Sequence, residues 1–221
     1  MKSNGRMEAP QRLAEIQDRI ARAARAARRD PATVTLIAVT KTHPPEAIRP
    51  LLIAGHRDFG ENRVQEAAAK WPALKTEFPG VRLHLIGQLQ SNKAADAAAL
   101  FDTVHSLDRP SLLAALARLA APPPVFVQVN IGDEPQKGGC PIADTPALLA
   151  QARIAGLDVQ GLMAVPPEGI EPAPFFALLA KMAREAGLYG LSMGMSGDFE
   201  TAVMLGANHV RVGSALFGER G

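Results

Sequence analysis

The stretch Leu36-Ile37-Ala38-Val39-Thr40 is apolar and β-branched, and it gives way to Lys41 and a Thr42-His43-Pro44-Pro45 turn. Such a run, bounded by turn signals, predicts a fully buried strand near 34–40. In barrels and open sheets of parallel strands, function collects at the C-terminal strand ends. Lys41 stands at such an end, where a lysine withdrawn from solvent can attack a carbonyl and form an imine. Taken alone, Lys41 reads first as a solvated loop residue, and it is the rest of the chain that reverses this.

On both sides of this strand the pattern alternates. Upstream, Leu13, Ile16, Ile20, Ala23, Ala24 and Ala27 form the buried stripe of a helix, and Arg12, Arg19, Arg22, Arg25, Arg28 and Arg29 form its solvated face. Downstream, a helix is expected over 45–54, a short strand over 58–60, and helical periodicity through Val64, Ala67, Ala68 and Trp71 that stops at Pro72. A strand over 81–86 and a helix over 94–100 follow. Further strands are predicted at 103–105, 125–131, 159–163, 190–192 and 209–212, with helices at 111–119, 145–154, 174–186 and 198–205. Eight strands, each followed by helix, predict an α/β fold: a single (β/α)8 TIM-type barrel with an extra N-terminal helix, in preference to an open doubly wound sheet. One domain over 1–221 is expected, with 1–7 flexible.

With 221 residues and 47% hydrophobic content the chain can bury a sizeable core. Lys+Arg 24 against Asp+Glu 22 leaves a net charge of +2, so no large field recruits nucleic acid or an anionic membrane. The polar start and the lack of eighteen uninterrupted apolar residues point to a cytoplasmic protein. Cys140 is the single cysteine, which excludes an internal disulfide and a cysteine zinc site; in its Gly-Gly-Cys-Pro turn it reads as a passive loop residue. His43, His56, His84, His105 and His209 are scattered without metal-ligand spacing and read as structural.

The seventh and eighth strand ends are the most informative. Ser192-Met193-Gly194-Met195-Ser196-Gly197-Asp198 and Arg211-Val212-Gly213-Ser214 place glycines and small hydroxyls where short helices begin. These are the ingredients of a phosphate cradle at the position this fold uses for one. A lysine on strand one facing a phosphate cradle calls for a phosphorylated aldehyde, and pyridoxal phosphate fits. Arg211 would donate to the pyridine nitrogen and, being cationic, would disfavour its protonation and weaken the ring as an electron sink.

The sequence resembles the pyridoxal 5′-phosphate homeostasis proteins, whose barrel is like the N-terminal domain of alanine racemase. The resemblance rests on six segments in order: 38–42, 59–66, 84–93, 162–164, 191–196 and 210–218. It implies that pyridoxal 5′-phosphate is held on Lys41 as an internal aldimine, with Ser196, Gly197, Gly213 and Ser214 around the phosphate, Arg211 at the ring nitrogen, and Asn62 near the cofactor. It also implies binding, buffering or delivery of cofactor to enzymes that require it, without an established catalytic activity. His43 stands where the family commonly has lysine, Ser214 where it has threonine, and Gly197 where an acidic residue is frequent.

The competing reading is an amino-acid racemase or decarboxylase using the same lysine. Abstracting protons from both faces of a substrate needs a second base. The chain's one tyrosine, Tyr189, precedes strand seven and so belongs to the opposite barrel end. Glu61 is a candidate to orient the imine, Ser91 or Asn92 to cap the helix that follows them, and the loop 132–141 to cover the barrel mouth or meet a recipient protein.

Overall fold

The computed structural model describes residues 8–218, so the expected flexibility of 1–7 lies outside the described residues. Eight strands run in order round a closed parallel barrel: β1 Thr35–Val39, β2 Asp58–Glu61, β3 Arg82–Leu85, β4 Thr103–Leu107, β5 Val125–Val129, β6 Val159–Ala164, β7 Gly190–Ser192 and β8 His209–Val212. Helices lie between them and at both ends: α1 Ala9–Ala26, α2 Pro45–Ile53, α3 Val64–Glu77, α4 Ala94–Ala98, α5 Pro110–Ala117, α6 Thr145–Ile154, α7 Ala173–Glu185, α8 Phe199–Met204 and α9 Ser214–Phe217. Among the described residues no helix is long and apolar enough to cross a membrane.

Strand β1 shows how the sequence becomes a barrel wall. Side chains alternate across a strand, so Leu36 and Ala38 join the core between strands and helices. Ile37 faces inward beside Gly60, Val39 is next on that face, and Lys41 continues the series one turn past the strand. Closure pairs Ile37 with Arg211 and Val39 with Gly60, which brings the first and last strands' ends together.

Three expectations are corrected. Helix α3 does not stop at Pro72 but continues to Glu77. Trp71 and Leu74 are buried on either side of the proline, and burying two such side chains is worth about 3–6 kcal/mol, enough to offset a helix-interior proline at about 3. The arginine face of α1 is only partly solvated. Arg19 makes two hydrogen bonds to Glu200 at 2.7 and 3.2 Å and covers the Phe199 ring, Arg12 donates to the Leu216 carbonyl, and Arg29 donates to the Val203 carbonyl. These arginines dock α1 on α8 and α9: Arg19 through a carboxylate and a ring face, Arg12 and Arg29 through backbone carbonyls of those helices. Ala27, placed in the buried stripe, is half-buried and caps the helix instead.

Candidate functional site at the C-terminal end of the barrel

A cavity of about 510 Å³ opens at the C-terminal strand ends. All seven residues singled out in the sequence line it: Lys41, Asn62, Ser196, Gly197, Arg211, Gly213 and Ser214. Val39, Ile86, Val165 and Met195 complete the wall, so among the described residues Lys41 and Arg211 are its ionisable lining groups.

Lys41 sits in a turn that the helix beneath holds. The buried Lys70 of α3 donates to the carbonyls of Thr40 at 2.8 Å and His43 at 3.1 Å, the residues flanking Lys41 and Thr42. Its ammonium also pairs with Glu61 at 2.8 Å and Glu66 at 3.0 Å. Glu66 in turn accepts the amide of Thr42, whose φ of 65° is a left-handed conformation that a β-branched residue adopts only under constraint. Burial pushes the Glu66 carboxyl up, but Lys70 and the Thr42 amide outweigh it and hold the group below its ordinary value.

Glu61 is therefore not the cofactor-facing group the sequence offered. Its Oε1 accepts from the Thr40 hydroxyl at 2.5 Å and the Trp71 indole at 2.9 Å, on the outer side of the barrel wall. The alternation of β2 decides this, because Gly60 and Asn62 take the inward positions. Asn62 reaches the cavity with its backbone against the next strand end: a Cβ on Gly87 would come within 2.2 Å of the Asn62 carbonyl oxygen. Glycine is required there.

Arg211 forms the floor. It is buried, donates through Nη1 to Ser192 Oγ at 2.7 Å and through Nη2 to the Ala164 carbonyl at 2.9 Å. Burial lowers its pKa to about 10, with Asp198 opposing the shift, and it remains protonated at neutral pH. Beside the end of β1, Ser196 Oγ gathers the amides of Gly213 at 3.2 Å and Ala215 at 3.4 Å, so the loops after β7 and β8 are joined through one hydroxyl. The Met195 amide is held by Asp198 Oδ1 at 2.5 Å, which fixes the same loop. A Cβ built on Gly197 meets nothing within 4 Å, while one on Gly213 comes 3.3 Å from Val39. The cradle is thus open at Gly197 and close-packed at Gly213.

The family of known sequences that matches is the alanine racemase N-terminal domain, over residues 12–221. The pyridoxal phosphate homeostasis protein of Pseudomonas aeruginosa is 45% identical over 218 residues, 94% of each chain. The protein of that name from Escherichia coli K12 is 39% identical over 222 residues, covering 94% of this chain and 95% of its own. The chain belongs to this family. PipY of Synechococcus elongatus, solved with PLP bound, superposes with a TM-score of 0.82 at 38% identity, covering 96% of this chain and all of that one.

Asn130, which follows β5, is not among the residues that line the cavity. Its amide donates to the Glu134 carbonyl and its Oδ1 accepts the Glu134 amide, closing the 132–141 loop on itself. Lys137 donates to the Pro166 carbonyl and Gln128 to that of Gly138, which tie the loop to the barrel. Ser91 and Asn92 make no capping bond; the residues 91–93 form a 3-10 turn running into α4, which leaves Lys93 at the cap position. Cys140 lies in the 132–141 loop with its thiol buried, and burial raises its pKa, which keeps it protonated. Tyr189 is exposed at the N-terminal end of β7. Sequence reasoning missed Lys70, and its one signal was a lysine in the buried register of α3, three residues after Ala67 and next to Trp71.

Proposed function

We propose that this chain binds pyridoxal 5′-phosphate on Lys41 and serves in the cell's management of that cofactor, as its relatives' names describe. The carrying observation is convergence: one amine, one buried guanidinium and the Ser196 and Ser214 hydroxyls of two adjacent loops line a single cavity of about 510 Å³. The residues fit the group, because the open position at Gly197 leaves room beside Ser196 and Ser214 for a phosphate, and Arg211 presents donors across from it. The Lys41 amine would condense with the cofactor's aldehyde, releasing water and leaving an imine. Pyridoxal phosphate supplies an electron sink when bound. The chain's own residues bind and orient it: Ser196, Gly197, Gly213 and Ser214 hold the phosphate, Asn62 borders the ring, and Arg211 donates to the ring nitrogen.

A cationic arginine at that nitrogen weakens the sink, and among the described residues the lining of this cavity includes no acid, imidazole or phenol as a second base. Both features favour holding and handing on the cofactor over amino-acid racemisation or decarboxylation. Apoenzymes that require pyridoxal phosphate are the recipients we propose, in the cytoplasm.

The test is borohydride trapping of the purified protein with pyridoxal phosphate, followed by mapping of the modified lysine. A visible band, an adduct at Lys41 and loss of both in Lys41→Ala are expected. An adduct at Lys70 or another lysine refutes the assignment. Turnover of amino acids near the roughly 10 s⁻¹ of a median enzyme, lost in Lys41→Ala, would favour catalysis instead.

A further inference from the structure

Below the cavity, the inward face of the barrel carries a continuous line of polar side chains from five strands. Arg211 of β8 donates to Ser192 Oγ of β7 at 2.7 Å. Ser192 Oγ lies 2.9 Å from His105 Nδ1 of β4. His105 Nε2 lies 3.1 Å from His84 Nδ1 of β3, and His84 Nε2 lies 3.1 Å from Asp58 Oδ1 of β2. Arg82 closes the line at the N-terminal mouth with two bonds to Asp58, at 2.5 and 2.7 Å.

The direction of every link follows from its ends. Arg211 only donates, and an ionised Asp58 only accepts. His84 must then carry its proton on Nε2, so as a neutral ring it accepts at Nδ1. His105 must donate from Nε2 and accept at Nδ1, and the Ser192 hydroxyl must donate to His105. That turns the serine's lone pairs to Arg211. Reversing the chain would require a charged His84 and would leave the Ser192 proton without its acceptor.

The surroundings favour the neutral, one-way form. Burial holds His105 well below the ordinary imidazole value, and the cationic Arg211 acts in the same direction. Phe126 of β5 stacks on the His105 ring at 4.4 Å, and His209 of β8 faces both rings, at 5.8 Å from His105 and 6.2 Å from His84. The His56 ring meets the backbone carbonyl of Asp58 through Nε2, at 2.8 Å.

We propose that Ser192, His105, His84 and Asp58 are positioning residues for Arg211: the chain fixes the lone pairs that hold the guanidinium, and so aims its remaining donors at the ligand in the cavity. Two fixed contacts, Ser192 Oγ and the Ala164 carbonyl, set the plane of the guanidinium. A planar fork held at two nitrogens has no freedom left to turn its free edge. Asp58, at the far mouth of the barrel, thereby acts on the cavity without touching it. The inference rests on the proposed pyridoxal phosphate site only for the identity of the ligand.

One experiment has two arms. In the cofactor-free protein, imidazole nitrogen shifts are expected to show His84 and His105 both protonated on Nε2 at pH 7.5, and Arg211 side-chain N–H exchange is expected to quicken at least tenfold in Asp58→Asn. His105 protonated on Nδ1, or unchanged Arg211 exchange in a folded Asp58→Asn, overturns the proposal. In the loaded protein, Ser192→Ala and Asp58→Asn are expected to weaken pyridoxal phosphate at least fivefold and shift its visible band, with Ser192→Thr restoring both. Variants that lose only melting temperature, with affinity and band unchanged, also overturn it. If wild-type protein takes up no pyridoxal phosphate, the functional reading fails while the first arm still decides the chain.

Discussion

The two ends of the barrel interior are built from the same eight strands and opposite logic. At the C-terminal end, Lys41, Asn62 and Ser196 are half-buried round an open cavity, and their donors face space. At the N-terminal end, Asp58, His84 and His105 are buried and spend their polar atoms on one another. A barrel interior with polar groups has to satisfy them or leave them to a ligand; this one does the first below Arg211 and the second above it. Arg211 belongs to both halves.

If the upper half is a ligand site held rigid from outside, its largest weakness is Lys70. Lys70→Met removes the cation that neutralises the fully buried Glu61 and frees the Lys41 turn. Leaving a buried carboxylate unpaired costs about 3–5 kcal/mol, so denaturant unfolding should show a loss of that size together with poor capture of pyridoxal phosphate. Normal capture in a destabilised variant would detach the turn from the clamp.

Sharpening the upper half itself calls for Ser196→Ala combined with Ser214→Ala. Backbone donors remain, so affinity for pyridoxal phosphate should fall by about 1–3 kcal/mol, the range for lost charge-assisted hydrogen bonds, and affinity for unphosphorylated pyridoxal should hold. Titration with both ligands measures this; equal losses would mean that the serines do not read the phosphate.

The lower half should betray itself in acid. Burial, with the field of His84, lowers His209 to about 4 from 6.5, so between those values the unfolded chain binds more protons and stability falls as pH falls. His56 and His105 are lowered as well, mainly by burial, and add in the same direction. Asp58 acts later: burial raises it, but hydrogen bonds from His84 and Arg82 win and bring it to about 2 from 3.8, so its contribution is present above pH 3.8 and is lost only towards pH 2. Unfolding free energy should therefore drop by about 1–2 kcal/mol between pH 6.5 and 5, from His209 alone. A flat profile over that range would mean the histidines titrate freely.

The candidate cavity was more legible than its supports. Lys41, Arg211 and the Ser196 and Ser214 loops announce themselves because they sit at the ends of apolar runs, where polarity is locally out of place. Lys70 did not, since a lysine in a helix reads as solvated until the barrel wall covers it. The histidines read as scattered because nothing in a single strand tells which residue of another lies across the barrel.

The sequence pattern alone determined the order of strands and helices and the place of Lys41 at the end of β1, because apolar runs and turn residues mark each element locally. Tertiary structure alone decided the continuation of α3 through Pro72, the use of Arg12, Arg19 and Arg29 to dock α1, and the line from Asp58 to Arg211. Those depend on closure and register. His105 and Ser192 are 87 residues apart in the chain and meet at 2.9 Å only because eight parallel strands close on a common axis.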